Sequence, residues 1–100
     1  MKLQFAQRAL SEIERCKREW LAQREKNPGL FEEELAEVFE NIKTVPALGS
    51  PTGLISRGAL VRRVEMRKTQ YQVYYRLQNP EVALVLSVWG GRRGRKPKLR

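Results

Sequence analysis

Histidine is absent from this 100-residue chain, and cysteine occurs once, at Cys16. One cysteine cannot close an internal disulfide, and a lone thiol suits a reducing compartment. With no histidine and a single thiol, a structural zinc site is excluded. The same shortage removes Ser-His-Asp, Cys-His and histidine general-base arrangements. Any bond-making chemistry would have to run on Arg, Lys, Glu, Tyr, Ser or Thr. No apolar run approaches the ~20 residues of a membrane span; the longest, residues 82–89, is strand-sized. Residues 1–5 lead straight into helix-like sequence, without the apolar segment and small-residue cleavage site of a signal peptide. The expectation is a cytoplasmic protein with no cofactor, no metal and no membrane partner.

What the chain does have is charge, unevenly spread. Residues 1–44 hold eight Lys/Arg against nine Asp/Glu, a net of −1, and residues 45–100 hold twelve against two, a net of +10, giving the overall +9. The excess peaks in Arg92-Arg93-Gly94-Arg95-Lys96-Pro97-Lys98-Leu99-Arg100, directly behind the apolar run that ends at Trp89. Cations launched from the end of a strand are held in place and direct a polyanion or an acidic protein to one face. A hydrophobic fraction of 41% is ordinary for a globular protein, and this length allows one modest core. The expected organisation is one domain over residues 1–91 and a basic C-terminal extension over 92–100.

Periodicity supplies the elements. Residues 2–5 read as a short strand. Ala6, Ala9, Leu10, Ile13, Cys16, Trp20 and Leu21 follow a helical 3–4 spacing, with Glu12, Glu14, Arg15, Arg18 and Glu19 assigned to solvent. Asn27-Pro28-Gly29 breaks this helix and opens another, whose Glu32, Glu33 and Glu34 suit the positive end of a helix dipole. That second helix is expected to bury Phe31, Leu35, Val38, Phe39 and Ile42. Residues 46–58 hold two prolines and three glycines and read as a loop. The period then becomes two. Val64 and Met66 oppose Arg63, Glu65 and Arg67; Tyr71, Val73, Tyr75 and Leu77 oppose Gln72, Tyr74 and Arg76. Residues 82–88 are apolar on both faces, as in a central strand. The fold class is α+β: order βααβββ, a helical hairpin packed on one face of a small, mostly antiparallel sheet.

If the helices cover the Val64/Tyr71/Val73/Leu84/Leu86 side, then Arg63, Glu65, Arg67, Gln72, Tyr74, Arg76, Ser87 and Trp89 look the other way. That surface mixes cations with aromatic and hydroxyl groups, a composition found where nucleic acid or acidic protein binds. The candidate contact residues are Arg63, Tyr74, Arg76, Trp89, Arg92 and Arg93. Tyr74 is expected at the surface, and Tyr71 and Tyr75 in the core. Arg62 is a further candidate for partner carboxylates, while Cys16 reads as a small core hydrophobe.

Five stretches carry a resemblance. They are Phe5-Ala6-x-x-Ala9-Leu10-x-x-Ile13, Pro46-x-x-Gly49-x-Pro51, Gly58-x-x-Val61-Arg62-Arg63-Val64, Tyr71-Gln72-Val73-Tyr74-Tyr75-Arg76 and Val85-Leu86-x-Val88-Trp89-Gly90-Gly91-Arg92-Arg93. In this order the chain resembles the RelE/ParE superfamily of toxins from bacterial type II toxin–antitoxin, or plasmid stabilisation, systems. The resemblance implies a cognate antitoxin that folds an extended or helical segment onto the toxin, and one of two targets. RelE-like members cut mRNA on the ribosome with basic residues on the sheet. Here Arg63 matches the first such position, with Arg67, Arg92 and Arg93 as further phosphate grips and Glu65 as a base. Glu65 itself stands where a second cation would be, Gln72 where a third-strand Arg would be, and no Tyr or His follows Trp89. ParE-like members block DNA gyrase, and many carry the Tyr-x-(apolar)-x-Tyr-Arg strand found at Tyr71 to Arg76. The resemblance therefore favours a ParE-like gyrase inhibitor over an mRNA interferase. A toxin–antitoxin heterotetramer is an assembly it allows.

Overall fold

The structure, a computed structural model, describes residues 1–23 and 27–90. It opens with β1 (Lys2–Phe5), followed by α1 (Gln7–Gln23) and α2 (Leu30–Thr44). Four strands follow: β2 (Ser50–Ser56), β3 (Ala59–Met66), β4 (Tyr71–Asn79) and β5 (Val82–Gly90). The five strands form one sheet in the order β1-β5-β4-β3-β2, antiparallel except for the β1–β5 pair. The α+β hairpin-on-sheet class therefore holds. It carries one more strand than expected, because residues 46–58 contain β2 and are not all loop. Pro51 is tolerated there because β2 is an edge strand, where a missing N–H breaks no inner ladder. The register slips between Pro51 and Ile55, and Gly53 sits inside that slip at φ 81°. Arg57 and Gly58, at φ 48° and 79°, make the two-residue turn into β3; positive φ at both positions matches the twist of a right-handed hairpin.

The helical hairpin packs on one side of this sheet. Ala9, Cys16 and Trp20 of α1 and Phe31, Leu35, Val38 and Ile42 of α2 join Val73, Tyr75, Val85 and Val88 in the main core. Aromatic edges set the contacts, Phe5 against Phe39 at 5.1 Å and Phe31 against Tyr71 at 5.0 Å between centroids. Trp20 Nε1 donates to the Asn27 carbonyl at 2.8 Å, closing the break between the helices. Lys17 Nζ reaches Glu32 Oε1 at 2.8 Å across the hairpin, and this hydrogen bond raises the Lys17 pKa.

Two carboxylates expected in solvent are built into this core. Glu12 is buried and accepts from Ser87 Oγ at 2.7 Å and from the Val88 N–H at 3.3 Å. Ser87 thus faces α1, correcting its assignment to the opposite surface. Arg8 and Arg15 flank the second Glu12 oxygen at 3.3 and 3.9 Å, so the buried charge has cations beside it. Glu34, expected to serve only the helix start and solubility, accepts from the Lys68 and Thr69 N–H groups at 2.8 and 3.0 Å and from Thr69 Oγ1 at 2.7 Å. It ties α2 to the β3–β4 turn.

Candidate functional site

The face of the sheet away from the helices holds the side chains singled out from the sequence. It is also partly a core. Val61, Tyr74 and Leu86 are buried there, with Leu54, Leu84 and Trp89 packed against them, so Leu84 and Leu86 lie on this face and not under the helices as expected. Leu84 pairs with Arg76, and the register shifts between Val85 and Ser87. Tyr74 is 1% exposed and donates its hydroxyl to Gln72 Oε1 at 3.0 Å, so it is not the surface tyrosine that strand alternation suggested. Arg76 is buried too; its Nε donates to Ser56 Oγ at 3.2 Å and its Nη1 to the Leu77 carbonyl at 3.4 Å. The added strand β2 explains both outcomes. It places β4 at the centre of the five strands, packs Leu54 against the cluster that holds Tyr74 and supplies Ser56 as the partner of Arg76, so both side chains are engaged inside the fold.

What remains displayed is narrower. Pairing places Arg63 opposite Tyr74 and Ser50, and Glu65 opposite Gln72, which in turn lies opposite Trp89. Arg63 is half-buried, Glu65 and Arg67 are exposed, and Trp89 is half-buried at the exit of β5. The Arg15 guanidinium lies 5.6 Å from the centre of the Trp89 ring, a cation–π contact that joins α1 to the strand end. One face thus gathers Arg63, Glu65, Gln72 and Trp89 on adjacent strands. Arg92 and Arg93 lie outside the described residues.

Arg62 has a structural task instead of a displayed one. Its Nη1 donates to the Gly49 carbonyl at 2.8 Å and to the Ala47 carbonyl at 3.4 Å. Beside it, Tyr75 donates to the Pro46 carbonyl at 2.7 Å and accepts from the Gly49 N–H at 2.9 Å. Together they hold the segment between α2 and β2 flat on the sheet. A Cβ at Gly49 would come 2.8 Å from the Tyr75 ring, so the close approach requires glycine. Burial raises the Tyr75 pKa above 10.0, against the lowering influence of the Gly49 N–H and the Arg62 charge.

No group of three or more His, Cys, Asp or Glu among the described residues could hold a metal ion. None of the described helices is long and apolar enough to cross a membrane. A groove of about 560 Å³ lies at the opposite sheet edge, between β1 and α2, lined by Leu3, Phe5, Ala36 and Phe39 among others.

A helical hairpin backing a five-stranded mixed sheet, with an aromatic at the end of the last strand, is the architecture shared by the small α+β toxins of the RelE/ParE superfamily. Within it the match is specific: residues 3–95 fit the family model described as ParE toxin of type II toxin-antitoxin system, parDE. The chain belongs to the ParE toxin family. In fold it is similar to a chain of the chromosomal ParDE TA system from P. aeruginosa, at 13% identity and a TM-score of 0.61, covering 90% of this chain and 95% of that one. No curated protein matches it in sequence.

Proposed function

We propose that this ParE-family toxin inhibits DNA gyrase by binding and is held silent by a cognate antitoxin. The observation that carries the reading is the composition of the displayed face. Cleavage of RNA through its 2′-OH needs a base, an acid and cations around the phosphorane. On this face Arg63 and the exposed Arg67 are displayed cations on either side of Glu65 in sequence, while Gln72 opposes Glu65 and Arg76 is committed to Ser56. A base without a neighbouring acid favours a docking role over a catalytic one. Contacts to the target fall to Arg63, Arg67 and Trp89 together with Arg92 and Arg93. The net +9 charge speeds association with an acidic partner and makes binding sensitive to salt. The antitoxin is then an acidic segment that folds as it binds. A heterotetramer of two toxins and two antitoxins fits this scheme.

The test adds purified protein to a gyrase supercoiling reaction and, separately, to a translating ribosome extract. Loss of supercoiling with translation intact is the expected result. Cleaved mRNA with gyrase untouched would establish the alternative, an mRNA interferase using Arg63, Glu65, Arg67, Arg92 and Arg93.

A further inference from the structure

The exit of β5 lies along an open sheet edge. β1 pairs with Val82–Val85, so on that side residues 86–90 have no neighbouring strand among the described residues. The early turns of α1 stand in its place. Glu12 accepts the Val88 N–H, and the Cys16 thiol donates to the Val88 carbonyl at 3.7 Å. These contacts satisfy backbone groups of the open edge and fix where the strand ends. Arg15, one residue before Cys16, does something different. Its helix lies on one face of the sheet, yet its guanidinium reaches the ring of Trp89, which packs against Val61, Tyr74 and Leu86 on the other.

Two observations separate Arg15 from the support of Glu12. Arg8 Nε donates to Glu12 Oε2 at 3.3 Å, whereas Arg15 Nη2 stands 3.9 Å from that oxygen, beyond hydrogen-bond reach. Arg15 Nε is buried and has no hydrogen-bond partner among the described residues. Glu12 keeps Ser87, Val88 and Arg8 without it, so the distinctive contact of this arginine is the indole ring.

We infer that Arg15 is a positioning residue for target binding: held over the Trp89 ring, it fixes the indole in the orientation that meets the target. This rests on the proposed function, in which Trp89 is a contact residue. A tryptophan at a strand end has few neighbours to limit its side-chain torsions, and freedom lost on binding weakens the complex. A planar cation over the ring removes that freedom beforehand, and the compact ammonium of a lysine does so less well.

The chain holds two tryptophans, Trp20 and Trp89, so fluorotryptophan labelling gives two fluorine resonances. Trp89→Leu assigns them by removing one. The full chain is measured by fluorine NMR and added to a gyrase supercoiling reaction. Arg15→Met is expected to move the Trp89 resonance and leave that of Trp20 in place. It should raise the half-inhibiting concentration about fivefold, as a freed side chain at a contact does, with Tm within about 5 °C of wild type. Arg18→Met, the same charge change at an exposed position of α1, should leave the Trp89 resonance in place and inhibition within about twofold. Trp89→Leu should cost at least about tenfold. Adding Arg15→Met to it should cost nothing more, because the arginine acts through the ring. Thermal melts check folding. Should Arg15→Met fail to fold, Arg15→Lys keeps the charge beside Glu12 and is expected to move the same resonance; should Trp89→Leu fail, Trp89→Phe replaces it. An unmoved Trp89 resonance, or losses that add in the double variant, overturns the inference and leaves the proposed function standing. Weaker inhibition with the resonance unmoved would make Arg15 a contact in its own right and overturn it too. A wild-type chain that leaves supercoiling untouched would remove the proposed function itself, and this inference with it.

Discussion

The two faces of the sheet are both buried at their centres, by different means. Under the helices the buried residues are aliphatic and aromatic side chains at regular spacing, with Glu12 and Glu34 inserted where backbone donors need acceptors. On the opposite face a smaller apolar cluster of Val61, Tyr74 and Leu86 is stitched by side-chain hydrogen bonds, Tyr74 to Gln72 and Arg76 to Ser56. The contrast teaches that a polar strand face is not thereby a binding face. A buried tyrosine or arginine needs a partner, and these two find theirs inside the fold.

The sharpest way to break this contrast is Tyr74→Ala. A tyrosine in a core costs about 4 kcal/mol when truncated, and one on a docking surface costs almost nothing. Urea unfolding is expected to show the large loss; a melt unchanged from wild type would return Tyr74 to the surface. Next comes Glu12→Ala, which strands the Ser87 hydroxyl and the Val88 N–H. About 3 kcal/mol is expected, read as a fall in Tm on the order of 15 °C. Tyr75→Phe should cost about 2 kcal/mol, because the Gly49 N–H and the Pro46 carbonyl both lose their partner. Tyr75 also gives a pH signature. Its folded pKa is raised, so the protonated form is favoured in the fold, and its stabilising effect is complete below about 10. That effect is lost as pH rises through the higher folded value. Wild type should therefore lose more stability than Tyr75→Phe above pH 10 in denaturant titrations. The smallest effect belongs to Glu65→Gln, on the displayed part of the second face. Stability should stay within about 0.5 kcal/mol, and the proposed gyrase inhibition should persist; abolished mRNA cleavage would instead mark Glu65 as a base.

Most elements could be read from the chain because their periodicity was undisturbed. The 3–4 spacing of Ala9, Cys16 and Trp20, and the doubly apolar β5, each point to one structure. The missed strand β2 hides behind Pro51, Gly53 and Gly58, residues that mark loops elsewhere and here mark an edge, a slip and a tight turn. Glu12 lies on the buried stripe with Ala9 and Cys16, and that placement was the available signal. A carboxylate on such a stripe usually bends to solvent, and only the distant Ser87 and Val88 donors decide otherwise. Arg62 and Arg63, adjacent in sequence, separate for the same reason: alternation places them on opposite faces, but only the position of residues 46–49 shows which one is engaged. Arg76 was misplaced because its partner, Ser56, belongs to the strand that the punctuation concealed.

The parallel pairing of β1 with β5 has a consequence for synthesis. Lys2–Phe5 is synthesised well before Val82–Gly90, which is its neighbour in the sheet among the described residues. That late strand also supplies the ladder for β4 and the anchors for Glu12. Contacts so distant in sequence cannot form until most of the chain has been released. The sheet is therefore completed only after β5 has been made, and a copy terminated before β5 lacks the strand that joins β1 to β4. Under the proposed function, activity would then begin only once β5 is in place, leaving the synthesis of the preceding residues as an interval in which a neutralising protein can already be waiting.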